Sequence, residues 1–139
     1  MPTSGYCSLL LVGNPKGECM KKLNVLGTEY TIEVVKISEC ESLRKNRWCG
    51  SCNELTHKIL VGDASEEEFF GELTDEEQKL ITKQILRHEI THAFLNESGL
   101  QESSCNLDRP WARNEEMIDW FAIQFPKIRK AFEDAGCLD

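Results

Sequence analysis

The strongest constraint on this chain is a helix signal running from Thr74 to about Glu97. Thr74-Asp75-Glu76-Glu77 is a capping box: the threonine hydroxyl accepts from an amide of the first turn, and Glu77 reaches back to the cap. Gly99 stands where a helix is often ended by a left-handed residue. Between these signals Ile81, Ile85, His88, His92 and Leu95 recur at +4, +3, +4 and +3 and form one stripe. Leu86, Ile90 and Phe94 make a second apolar line. A helix apolar on two sides packs centrally, so the two histidines are expected to face buried surroundings or a cleft.

The remaining segments set the fold class. LNVLG and TEYTIEVVKI, rich in β-branched residues, flank a break at Gly27-Thr28 and predict two strands joined by a tight turn. Residues 38–55 are polar and read as a loop or a short irregular element. HKILVG at 57–62 is a further short strand, and SEEEFFGEL at 65–73 holds one helical turn. Residues 100–112, with Pro110, are expected to be loop. Asn114 is a good N-cap for a second helix through about Gln124, which Pro126 interrupts before a last helix over about 127–135. Strands followed by helices predict an α+β fold: a small N-terminal antiparallel or mixed sheet packed on a C-terminal helical part.

A length of 139 residues fits a single domain with a core of its own. Met20-Lys21-Lys22 has the look of a natural start. Residues 1–19 are therefore expected to be a loosely ordered extension, and 20–139 the domain. The net charge of −8 disfavours nucleic acid as a partner, because phosphate contacts supply most of such affinity. SLLLVG near the N-terminus is too short to span a bilayer and follows no positive residue, so neither a membrane nor export is expected. The seven cysteines then belong to a reducing cytoplasm.

HEITH at 88–92 carries the chemistry. Residues four apart on a helix differ by about 40° around its axis, so His88 and His92 project side by side at a spacing that holds one ion. Glu89 is turned about 100° from His88 and about 60° from His92. That places a carboxylate beside the ion as a base for water rather than as a ligand. A catalytic zinc site needs three protein ligands and an open position. His57 is one candidate for the third. NEEMIDWFA at 114–122 offers a better one, with 22 residues between His92 and Glu115. Glu115 supplies an oxygen, and Asp119, one turn on, accepts the distal N–H of a ligating histidine. Glu116 is the neighbouring alternative, and the E-x-x-x-D alignment favours Glu115. Two histidines and one carboxylate suit Zn2+.

HEITH followed by NEEMIDWF resembles the gluzincins, metallopeptidases in which H-E-x-x-H is paired with a later N-E-x-x-x-D. More narrowly, the preceding strand and E-x-x-x-D-W-F-A ending in FP resemble the ImmA/IrrE-like minimal metallopeptidases of bacteria, prophages and mobile elements. The likeness covers about residues 56–127, and identity within it is concentrated in the two motifs. It implies His88, His92 and Glu115 as zinc ligands, Glu89 as base and Asp119 as the support of a ligand histidine. Asp119 stands where many ImmA/IrrE-like sequences have Asn, which is closer to thermolysin. No helix-turn-helix segment precedes the motifs, so a fused DNA-binding role is not expected.

Two functions follow as expectations. One is a zinc-dependent peptidase acting on a protein or peptide substrate that pairs with an edge strand at 57–62, with His57, Tyr30 and Arg113 as candidate oxyanion partners. The other is a zinc-containing regulatory or anti-defence binding protein of a phage or mobile element. Cys49-Gly50-Ser51-Cys52, with Cys40 nearby, has no second C-x-x-C to complete a structural zinc site, so these residues are expected to be ordinary thiols. Trp111, Trp120, Phe121 and Phe125 are expected to pack in the core against the long helix.

Overall fold

The computed structural model describes residues 20–100 and 111–138. The architecture is α+β, as expected: a four-stranded mixed sheet with a long helix across one face. β1 (Lys21–Val25) and β2 (Thr28–Val35) form an antiparallel hairpin. Its loop is Leu26-Gly27, both with positive φ, and the Asn24 side chain accepts from the Gly27 amide at 3.0 Å. The two positive φ values match the twist of the strands they join.

Residues 38–55, expected to be irregular, contain real structure. α1 (Glu41–Asn46) is followed by β3 (Gly50–Asn53), which turns back into β4 (Lys58–Gly62). β3 and β4 are antiparallel, β2 and β4 parallel, and the strand order is β1-β2-β4-β3. This overturns one expectation. The 57–62 segment is an inner strand with both edges paired, and the edges of the sheet are β1 and β3. β3 escaped notice because four residues of Gly, Ser, Cys and Asn carry no alternating apolar signal.

A four-residue turn of helix, α2 (Glu67–Phe70), leads to α3 (Asp75–Glu97), whose capping box forms as expected. α3 packs its Ala93, with Ile85, Leu86 and Ile90, on Val25, Tyr30, Ile32, Ile59 and Val61 of the sheet. Only Glu89 and Ala93 of α3 are buried, so the helix covers the sheet from one side rather than running through a core. Phe94, on its second apolar line, is exposed.

After a short turn at Trp111–Arg113, α4 (Glu115–Asp134) packs on α3. It was expected to break at Pro126 and instead runs through it. Proline has no N–H for the carbonyl four residues back, here that of Ala122. Arg87 of α3 supplies the missing donor: its Nε donates to the Ala122 oxygen at 2.5 Å. The helix defect is thus satisfied from the neighbouring helix. Arg87→Met is expected to cost about 1–3 kcal/mol in chemical denaturation. It should cost much less in a Pro126→Ala background, where a backbone amide restores the bond.

The aromatic group also departs from expectation. Trp111 and Trp120 are 59% and 58% exposed, and Phe121 and Phe125 lie on the surface as a tilted pair. Ile118 and Ala122, one turn apart, make the buried contact instead. Residues two positions from Ile118 fall on the far side of a helix, which puts Trp120 outside. The expectation for residues 1–19 lies outside the described residues, as does most of the loop expected over 100–112, whose end at Trp111 and Ala112 belongs to the short turn. Among the described residues no helix is long and apolar enough to cross a membrane.

Candidate metal centre

Two helices and one strand build the site. α3 brings His88, Glu89 and His92, since its straight run aligns every fourth residue. α4 brings Glu115 and Asp119 from its first two turns. Its start is fixed by Asn114, whose side chain accepts from the Met117 amide at 2.8 Å. β3 closes the third side with Cys49, Gly50, Ser51 and Cys52 around a cleft of about 660 Å³.

The donors converge. His88 Nε2 lies 3.1 Å from His92 Nε2 and 3.1 Å from Glu115 Oε2, and His92 Nε2 lies 3.5 Å from the same Glu115 oxygen. A tetrahedral zinc with bonds of 2.0–2.1 Å separates its ligands by about 3.3 Å. The triangle therefore has the size of one face of a zinc tetrahedron, and all three of its residues line the cleft. On the other ring nitrogen, His88 Nδ1 is 2.8 Å from Asp119 Oδ1. With Nδ1 donating its proton to that carboxylate, Nε2 presents its lone pair to the ion position. Burial holds His92 below the ordinary histidine range, against the pull of Glu115. Its ring is consequently neutral near pH 7, as a metal ligand must be. Glu116 does not line the cleft.

Glu89 is the one buried charged residue among those described, 5% exposed, because its place on α3 faces the sheet. One of its carboxylate oxygens lies within 4.8 Å of a ring nitrogen of each of His88 and His92. Burial pushes its carboxyl from 4.5 up to about 8, and the charges of Glu115 and Asp119 add to the rise. A cation in the donor triangle would act in the opposite sense and draw the proton off.

Gly50 explains how Glu89 is covered. A Cβ built on it would stand 2.7 Å from Glu89 Oε1 and 2.8 Å from Ile85 Cγ2. Strand β3 approaches α3 as closely as it does because Gly50 has no side chain. A glycine within a strand often signals such an approach, but the signal was hidden in a segment read as loop. Gly50→Ala is expected to push the edge strand or the carboxylate aside and lower stability by about 1–3 kcal/mol, measured by urea unfolding.

Other candidates fall elsewhere. His57 packs its ring on Tyr30 and faces Glu97 at 3.9 Å, so it is not near the histidine pair's third corner. Tyr30 is buried and donates to Glu97 at 2.7 Å. Neither they nor Arg113 line the cleft. Cys40, Cys49, Cys52 and Cys137 are free thiols. Burial, with the charge of Glu89 behind it, pushes the Cys52 thiol up to about 12 and raises that of Cys49. Both are protonated at neutral pH and are poor ligands or nucleophiles in that form. No known protein family, curated protein or solved structure matches the chain.

Proposed function

We propose that this chain is a zinc-dependent metallopeptidase of the gluzincin type, ImmA/IrrE-like, that hydrolyses a peptide bond in a cytoplasmic protein or peptide. One observation carries the reading: His88, His92 and Glu115 form a triangle of zinc dimensions, with Asp119 behind His88 and Glu89 beside the two histidines. Two separate sequence motifs from different helices meet to make it.

Zinc held by His88, His92 and Glu115 supplies Lewis acidity toward water and toward a peptide carbonyl. Asp119 keeps the His88 proton on Nδ1, so that the ring cannot turn or change tautomer during turnover. Glu89 accepts a proton from the attacking water on a carboxylate oxygen. It then passes the proton to the leaving amine, which departs neutral. Burial raises the Glu89 carboxyl, and a cation in the donor triangle would lower it again, which leaves a carboxylate able to take the proton and return it. The substrate backbone is received along β3, the free edge that lines the cleft, rather than along the inner strand β4. Addition of an extended peptide to such an edge satisfies its unpaired N–H and C=O groups.

The test is zinc titration of metal-free protein followed by incubation with unfolded protein substrates. Stoichiometric uptake, with an anomalous signal inside the donor triangle and cleavage that a chelator abolishes, is expected. Absence of zinc uptake would sink the reading. Zinc uptake without cleavage would favour the alternative, a binding protein in which the metal is structural.

A further inference from the structure

The lining of the cleft holds a feature that metal chemistry does not use. Arg47 ends α1 with φ +56° and ψ +40°, in the left-handed region, its amide bonding to the carbonyls of Leu43 and Arg44. Helices that end this way usually carry glycine or asparagine there, because a side chain is strained. Capping alone gives no reason for an arginine. Trp48 follows it, 52% exposed, and both line the cleft with Gln84 and Ile85. Arg47 is the sole Lys or Arg among the lining residues, and no side chain among those described pairs with its guanidinium. Glu89, Glu115 and Asp119 are the acidic residues of the same lining.

From this we infer that Arg47 and Trp48 form a substrate-selecting subsite for a peptide carboxylate flanked by an apolar side chain, an inference that rests on the peptidase reading. The guanidinium offers parallel N–H donors that fit a carboxylate in two-point contact. Trp48 and Ile85 offer the adjoining apolar surface. A carboxylate placed away from the donor triangle meets Arg47, the one Lys or Arg among the described residues that line the cleft. The carboxylate can belong to an Asp or Glu side chain or to the C-terminus of the peptide.

The experiment uses the zinc-loaded full chain and quenched-fluorescent peptide pools with one fixed position, Asp or Glu against the isosteric Asn or Gln. A second set has free or amidated C-termini. Acidic pools are expected to be cleaved about tenfold faster than their amides. Arg47→Gly should bring that ratio close to one and Arg47→Glu should invert it. Glycine is at ease at this backbone angle, so a melting temperature at or above that of the wild type separates lost recognition from lost folding. Loss of the preference on amidation of the C-terminus assigns the terminal carboxylate, and its persistence assigns the side chain. A ratio of one in the wild type, or a ratio unchanged in Arg47→Gly, overturns the subsite. If zinc binds and no pool is cleaved, the peptidase reading fails by itself. Fluorescence polarisation of the same labelled pools on zinc-loaded Glu89→Gln then decides the subsite: discrimination of Asp from Asn upholds it, and equal binding overturns it.

Discussion

Glu89→Gln is expected to lower peptide hydrolysis about 10²–10⁴-fold while leaving zinc bound, since general acid–base groups contribute on that scale. The amide keeps the shape of the side chain beside Gly50 but cannot take a proton. The three donors, on other positions of α3 and α4, are untouched. A binding protein would be indifferent to the change, so the variant separates the two functions directly. It also has a second effect in the metal-free protein. Glu89 titrates at 4.5 in ordinary surroundings and at about 8 when folded. Below 4.5 it is protonated whether folded or unfolded, and it costs nothing. Between 4.5 and 8 the unfolded chain releases the proton and the folded chain keeps it. Stability therefore falls as pH rises through that window and levels off above it. The total is on the order of a few kcal/mol. In Glu89→Gln this slope should vanish, so the metal-free variant should melt higher than metal-free wild type at pH 8. A calorimetric series from pH 5 to pH 8 would reveal both trends, and equal slopes would contradict the buried carboxyl.

The second large effect is expected at Glu115. Zinc at about a thousand times its dissociation constant stabilises a protein that binds it only when folded by about 4 kcal/mol. For a domain of this size that is a rise in melting temperature of about 10 °C. Glu115→Ala removes the only carboxylate in the donor triangle and should abolish most of the rise. Glu116→Ala should leave it nearly intact. Isothermal titration with zinc measures the same difference as affinity. If the two variants responded alike, the donor set drawn from the geometry would be wrong.

The parts of this molecule that were legible in the sequence are those set by local spacing. The capping box, the length of α3 and the first hairpin, whose turn at Leu26-Gly27 falls one residue before the expected Gly27-Thr28, depend on neighbours along the chain. The same holds for the alignment of His88 with His92 and of Glu115 with Asp119, each four residues apart on one helix. What was not legible depends on packing between distant segments. β3 has no apolar pattern, so its place at the sheet edge and in the cleft wall comes only from pairing with β4. The continuity of α4 through Pro126 depends on Arg87, a residue of another helix. Trp120 and Phe125 were assigned to the core by their size, yet the inner face of α4 was already taken by Ile118, Ala122 and the two site carboxylates. Gly50 looked like a loop glycine until the helix it touches was in place.

The bond between Arg87 and the Ala122 carbonyl bears on how the metal centre is assembled. Arg87 immediately precedes His88, and Ala122 lies about two turns beyond Glu115 on α4. The proline-released carbonyl thus serves as an index mark between the two helices. Sliding α4 by one turn would move Glu115 about 5.4 Å and carry the acceptor away from Arg87. The bond thus ties the register of α4 to α3, and with it the spacing of Glu115 from His88 and His92.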